Sequence, residues 1–230
     1  LYQIKQLFFS KHEAFDMRKA SWWPDKEIMK SLSGIATPAT LQFIIQSASW
    51  IFLAAIVARS GSNASGGYQT AIRLIMFFML PAWGISNAAA TLVGQNLGAK
   101  EPGRAESSVK TIAKYNTIFM AFVMLFFMAL ADPLISFFIP RTSVDQHKYA
   151  VDALWIISTG YVLYGFGMVL MQAFNGAGDT KTPTYISFVG FWLMQVPLAW
   201  FLAMYLGMGP LGVFIAIPAS EAIITGIYYY

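Results

Sequence analysis

Long apolar stretches separated by short polar turns occupy most of this chain. They cover residues 31–58, 68–97, 105–131, 149–174 and 184–206, and a further stretch begins at 211. A hydrocarbon core of ~30 Å requires about 20 mainly apolar residues in a helix, and the first five stretches all reach that length. Buried helices of soluble proteins rarely run this long without a polar face. The pattern predicts an all-α polytopic membrane protein with six spanning helices in a domain of residues 31–230, the last helix being truncated.

The composition agrees with this prediction. The chain has 230 residues, of which 57% are hydrophobic and 11% charged, whereas soluble domains carry roughly 25% charged residues. The absence of cysteine excludes disulfides, thiolate metal sites and cysteine nucleophiles. Neither a catalytic triad, a carboxylate pair nor a metal-ligand set stands out, so we predict no enzyme and no metal site. Since no basic stripe follows the chain, we also predict no nucleic-acid binding.

Residues 1–30 differ from the rest by mixing basic and aromatic side chains. The basic ones are Lys5, Lys11, Arg18, Lys19, Lys26 and Lys30. This mixture predicts an amphipathic segment on a membrane surface, acting as a linker. A plain solvated linker is the alternative, because Pro24 would break a continuous helix.

Polar side chains recur at helical spacing inside the first two spans. Gln42, Gln46 and Ser49 fall at i, i+4 and i+7 and therefore share one face. Because amides are costly in lipid, that face should point into protein or a water-filled cavity. Interhelical hydrogen bonding without substrate contact is the equal alternative. Pro38, in the same span, is a candidate kink.

The second span continues the stripe with Gln69, Arg73, Phe77 and Asn87. An intramembrane arginine is a functional-site hypothesis by default, but Arg73 lies close enough to the span end for its side chain to snorkel to the interface. Pro81 removes a backbone hydrogen bond in mid-span and should kink the helix.

The later spans divide into a plain one and a patterned one. Residues 105–131 are nearly featureless, and we predict a packing or lipid-facing helix that stops at Asp132 and Pro133. In the next span, Tyr161, Tyr164, Met168 and Gln172 share a face. The small residues Gly160, Gly165 and Gly167 should let another helix approach closely.

Basic residues set the expected orientation. The segment before the first span and the loops after the second and fourth spans contain most of the lysines and arginines, whereas the opposite loops contain Arg59, Arg141 and Lys148. By the positive-inside rule the first group is cytoplasmic. We expect a multi-pass protein of the cell inner or plasma membrane with a cytoplasmic N-terminal segment.

Two loop motifs carry a family resemblance. Residues 91–99 read TLVGQNLGA, followed by Pro102 and Ala105; residues 176–183 read GAGDTKTP; and Pro81 follows a leucine. Together they resemble multidrug and toxic compound extrusion (MATE) transporters, in their C-terminal half from the linker through the seventh to twelfth helices. The resemblance covers essentially the whole chain and implies that the chain is a fragment, the C-terminal lobe of a two-lobe, 12-helix transporter.

The resemblance implies a secondary antiporter that exports cationic or amphipathic drugs and toxins in exchange for Na⁺ or H⁺ by alternating access. The implied partners are those small molecules, the lipid bilayer and an N-terminal lobe; no cofactor is implied. A lipid-linked oligosaccharide flippase of the same superfamily and a non-transporting truncated membrane protein are the alternatives. The residues expected to line the central cavity are Gln42, Gln46, Gln69, Arg73, Phe77, Asn87, Tyr161, Tyr164, Met168 and Gln172.

The coupling ion is expected to bind mainly outside this chain. The sodium-coupled branch of the family has a glutamate in its seventh helix and an aspartate in its tenth, and the matching positions here hold Gln46 and Tyr164. Neither side chain is an anion at pH 7. The resemblance therefore implies an acidic coupling residue in the N-terminal lobe.

Overall fold

The computed structural model describes Trp23 and residues 25–230, and its regular elements are helices. We number them α1 to α7. They are α1 Lys26–Ala58, α2 Ser62–Gly98, α3 Pro102–Phe138, α4 Val144–Ser158, α5 Tyr161–Gly176, α6 Lys181–Tyr205 and α7 Pro210–Tyr229. Helix α6 contains two π-helical segments, Phe188–Gln195 and Phe201–Tyr205. Most of the predicted linker, residues 1–22 and 24, lies outside the described residues.

The described residues contain five helices long and apolar enough to cross a membrane, and α4 and α5, bent by 55° at a short break, together meet the same length and composition as one more. The predicted six-span α-helical fold is thereby confirmed. The prediction of one continuous helix at 149–174 was wrong, because the helix is interrupted between Ser158 and Tyr161. At this break Gly160 lies against Pro218 of α7, where a Cβ atom would come within 2.8 Å of the proline Cβ.

Two predicted helix boundaries are also corrected. Helix α3 does not stop at Asp132 and Pro133 but continues to Phe138, because a proline near the end of a helix removes only one hydrogen bond. Helix α1 begins at Lys26 rather than at residue 31. Its start is fixed by Asp25, whose Oδ1 accepts a 2.8 Å hydrogen bond from the Glu27 amide, as a helix cap does.

Helix α5 packs closely on two neighbours through its glycines, as the sequence predicted. At Gly165 a Cβ atom would lie 2.7 Å from the Met120 side chain of α3, and Asn116 of α3 donates a 2.8 Å hydrogen bond to the Gly165 carbonyl. At Gly167 a Cβ would lie 2.5 Å from the Thr225 hydroxyl of α7. Helix α3, predicted to be featureless, thus contributes a buried polar contact.

The loop before α6 explains the motif at residues 176–183. Gly176 lies against the α2 backbone, where a Cβ would come within 2.6 Å of the Ala90 Cα, and Gly178 has a φ of 85° that favours glycine. Asp179 then accepts hydrogen bonds from the Thr182 hydroxyl at 2.6 Å and the Thr182 amide at 3.1 Å. These two bonds lower the pKa of Asp179, because they stabilise its charged form.

Helix α6 is fastened to α1 by side chains that donate to backbone carbonyls. Thr180, in the preceding loop, donates to the Ile35 carbonyl at 3.1 Å, and the Trp192 indole donates to the Ile45 carbonyl at 3.1 Å. The Thr184 hydroxyl lies 2.8 Å from the Pro38 carbonyl and 2.7 Å from the Thr180 carbonyl, and it shares its one hydrogen between them. We call these three contacts the α6–α1 seam.

Closer to the C-terminal ends of α1 and α6, a buried chain of hydrogen bonds joins these two helices to α7. Ser49 donates to Gln195 Oε1 at 3.0 Å, and Gln195 Nε2 donates to the Ser220 hydroxyl at 2.9 Å. All three side chains are buried. These bonds tie α1 and α6 to α7, near the cavity described next.

Candidate functional site

A cavity of about 230 Å³ lies where α1, α2, α5, α6 and α7 converge. Five of the residues predicted from the sequence line it, and they come from three separate spans. They are Gln46, Asn87, Tyr164, Met168 and Gln172. Neighbouring lining groups that the sequence did not single out include Trp83, Ser187, Glu221, Thr225 and Tyr228.

Gln46 is held in place by the helices opposite. Its Nε2 donates to the Ser187 hydroxyl of α6 at 3.2 Å and approaches the Met171 sulfur of α5 at 3.5 Å. The sequence left two roles open for the polar stripe on α1, which were lining a cavity and hydrogen bonding between helices. Both roles occur within the stripe. Ser49 forms an interhelical hydrogen bond, whereas Gln46 makes such a bond and also faces the cavity.

A row of amides connects α2 and α5 along one side of the cavity. Gln172 Nε2 donates to Asn87 Oδ1 at 2.6 Å, and Asn175 Nδ2 donates to Gln172 Oε1 at 3.1 Å. Asn87 is exposed and Gln172 is half-buried. The row therefore runs from the outer surface of α2 inward, and its polar groups can hydrogen-bond a molecule entering the cavity.

Glu221 provides the carboxylate of the cavity. It is the one charged side chain within α7, it is only 6% exposed, and it lines the same cavity as Gln46. No residue in the described part of the chain forms a hydrogen bond or ion pair with it. An ionisable residue inside a span is a functional-site candidate; that rule, applied to Arg73, would also have selected Glu221 from the sequence.

The other predicted site residues lie outside this cavity. Arg73 and Phe77 line a separate, mostly apolar groove of about 790 Å³ between α2 and α3. Gln69 is exposed on the same helix, Gln42 is buried on α1, and Tyr161 is buried with its ring against Phe127 at a centroid distance of 5.9 Å. The sequence pattern thus grouped residues of the exposed α2 stripe with residues that line a separate cavity.

The lining of the cavity combines groups that can bind an organic molecule. Among the described residues, no group of three or more His, Asp or Glu side chains could hold a metal. The lining instead combines aromatic rings, amides, a methionine and one carboxylate. Rings and a carboxylate attract a positive charge, and a methionine adapts to different apolar shapes.

Comparison with known proteins assigns the family. The model of the MatE family matches residues 38–201. The chain belongs to the MatE family. It is 26% identical over 207 residues to a probable multidrug resistance protein YoeA of Bacillus subtilis, covering 89% of this chain and 44% of that protein. It is 28% identical over 202 residues to the multidrug resistance protein MdtK of Photorhabdus laumondii, covering 84% and 42% respectively.

Solved structures of MATE proteins share the fold. One is an outward-facing multidrug resistance MATE transporter, with a TM-score of 0.87 and 22% identity, and this chain covers 51% of it. A further structure with the same fold is a MOP superfamily transporter from Pyrococcus furiosus, with a TM-score of 0.89, 22% identity and the same coverage. The MatE chain is therefore a multi-pass membrane protein of a transporter family, and it spans about half the length of the relatives it matches.

Proposed function

We propose that this MatE chain is the C-terminal lobe of a secondary antiporter that exports cationic or amphipathic drugs and toxins in exchange for Na⁺ or H⁺. It would work with an N-terminal lobe of the same transporter in the cell inner or plasma membrane, with residues 1–30 as a cytoplasmic linker between the lobes. Rocking of the lobes would expose the binding site alternately to each side.

The cavity with Tyr164, Gln172 and Glu221 carries this proposal. Its aromatic and carboxylate groups are complementary to a positive charge, and its amides can hydrogen-bond polar cargo. The relatives named as multidrug resistance proteins support the same conclusion. A flippase for lipid-linked sugars is less well supported, since pyrophosphate calls for basic groups and Arg73 lies in the other groove.

Efflux measured in intact cells tests the proposal. The natural protein containing this chain is expressed in cells that lack their own cation exporters, and accumulation of ethidium is followed by fluorescence. We expect low accumulation with the wild type and several-fold higher accumulation with Tyr164→Ala. Tyr185→Ala is the matched control, because Tyr185 is 71% exposed on α6.

Two results would contradict the proposal. If cells expressing the wild type accumulate as much ethidium as cells without the protein, and the protein transfers a polyprenyl-linked sugar in vesicles, the flippase would be favoured. The absence of both activities at normal protein levels would favour a membrane protein that does not transport.

A further inference from the structure

Glu221 occupies an unusual position for a carboxylate. It lies in the middle of an apolar helix, is 6% exposed and opens onto the cavity. Its own helix brings Thr225 and Tyr228 to the same cavity, one and two turns farther along. The hydroxyl of Thr225 is already committed to the Leu163 carbonyl at 3.0 Å, and that of Tyr228 donates to the Pro183 carbonyl at 3.3 Å.

No permanent positive charge faces Glu221 in the described part of the chain. Helix α1 presents Gln46, α2 presents Trp83 and Asn87, α5 presents Tyr164, and α6 presents Ser187. Besides Glu221, the titratable groups lining the cavity are Tyr164 and Tyr228, and phenols are neutral near pH 7. The surroundings of Glu221 are therefore polar but uncharged.

A buried carboxylate without a partner is strongly unfavourable in its ionised form. Two conditions relieve this cost: the carboxyl group binds a proton, or a cation enters the cavity and pairs with it. The described helices that line the cavity supply neither the proton nor the cation. The cavity of about 230 Å³ leaves room beside the carboxyl group for the charged portion of a small organic cation.

We propose that Glu221 is an exchange site, whose carboxyl group holds either a proton or the positive group of a cationic cargo, one at a time. When the cargo enters, the carboxylic acid O–H bond breaks, its proton passes to bulk water and the carboxylate pairs with the cation. When a proton returns, the pair separates and the cargo is released. This inference rests on the proposed export function. It places a coupling residue in this lobe, where the positions that are acidic in the sodium-coupled branch hold the uncharged Gln46 and Tyr164.

The test measures protons released during cation binding. The natural protein containing this chain is purified in detergent, and binding of benzyltrimethylammonium, a small cation with an accessible ammonium group, is followed by calorimetry in buffers of different ionisation enthalpy. We expect the wild type to release about one proton for each cation bound at acidic pH, and its affinity to rise up to about tenfold per pH unit. Glu221→Gln should bind the cation more weakly, release no proton and show a flat pH profile.

Glu101→Gln is the matched control, because Glu101 is exposed in the loop before α3 and lines no cavity described here. It should behave like the wild type. Undiminished proton release by a folded Glu221→Gln variant would overturn the exchange site while leaving the export function intact. Failure of the wild type to bind or export any organic cation would overturn the export function together with this inference.

Chemical labelling of the unmutated protein provides a test that does not depend on how the variant folds. Dicyclohexylcarbodiimide, an apolar reagent, reacts with protonated carboxyl groups in membranes, and the modified peptide is identified by mass spectrometry. We expect labelling of Glu221 at acidic pH, suppressed several-fold by benzyltrimethylammonium. Labelling that the cation does not suppress would contradict the inference. Suppression by Na⁺ at constant pH, with a proton released as Na⁺ binds and no suppression by the organic cation, would assign the site to Na⁺ and contradict the inference.

Discussion

Arg73 lies on the exposed face of α2 and forms no ion pair with any described residue. If its guanidinium contacts cargo, Arg73→Ala should reduce ethidium efflux several-fold, because a charged hydrogen-bonding group would be lost. Arg59→Ala, at the end of α1, is the control. Efflux equal to the wild type at matched protein level would mean that Arg73 only reaches the membrane interface.

Gly176 is a position where a single methyl group should matter. Gly176→Ala would force α2 and α5 apart at Ala90, since the clash is with backbone atoms, and we expect a loss of about 1–3 kcal/mol in the free energy of unfolding. Unfolding in mixed detergent micelles measures this loss. In Gly84→Ala the new methyl meets nothing within 4 Å, so stability should be unchanged or slightly higher. Equal effects of both substitutions would argue against close packing at Gly176.

Asp179 should make stability depend on pH. Hydrogen bonds from Thr182 lower the pKa of this carboxyl in the folded chain, so its contribution exists above the ordinary aspartate range and disappears as pH falls through the folded-state pKa. Near neutral pH, Asp179→Asn should have a lower thermal unfolding midpoint than the wild type. In acid, where Asp179 of the wild type is protonated, the two midpoints should converge. A pH-independent difference in midpoint would show that charge is not the cause.

At the scale of elements, the chain Ser49–Gln195–Ser220 links three helices. Gln195→Leu removes two interhelical hydrogen bonds, each worth about 0.6 kcal/mol in membrane proteins, so we expect a loss of about 1 kcal/mol in unfolding free energy. A double-mutant cycle with Ser49→Ala isolates the first bond. Additive effects would show that Ser49 and Gln195 are not coupled.

Element boundaries show what the sequence could and could not predict. The number of membrane spans and their helical structure follow from the lengths of the apolar stretches, so the six-span fold was predictable. The break between α4 and α5 depends on contact between Gly160 and Pro218, which are far apart in sequence. Pro133 was interpreted as a stop because local rules penalise proline, yet the helix continues to Phe138.

The site was predictable only in part, for a related reason. Helical spacing correctly groups residues on one face of one helix, but it cannot say which faces of different helices meet. It therefore placed Arg73 and Phe77 beside Gln46 and Tyr164, whereas the first pair lines a groove between α2 and α3. The rule applied to Arg73 would also have selected Glu221, a lone charge in an apolar helix, but only the structure shows that it lines the same cavity as Gln46.

At the scale of the whole molecule, the loops make the orientation testable. The chain has no cysteine, so single cysteines at the exposed positions Ala99, Ala177, Ser60 and Thr142 can be probed with a membrane-impermeant maleimide. We expect Ala99→Cys and Ala177→Cys to react only after the cytoplasmic side is opened, and the other two to react in intact cells. The reverse pattern would invert the proposed topology.

The α6–α1 seam has a consequence for how the sequence can vary. Its donors are the side chains of Thr180, Thr184 and Trp192, whereas its acceptors are backbone carbonyls that every residue type supplies. The identities of residues 35 and 45 on α1 are therefore free to drift as far as this seam is concerned, while the three donors are constrained. The side chains that this seam requires thus all lie in or just before α6, and α1 contributes only backbone atoms. Homologous chains could therefore exchange α1 segments without losing the seam.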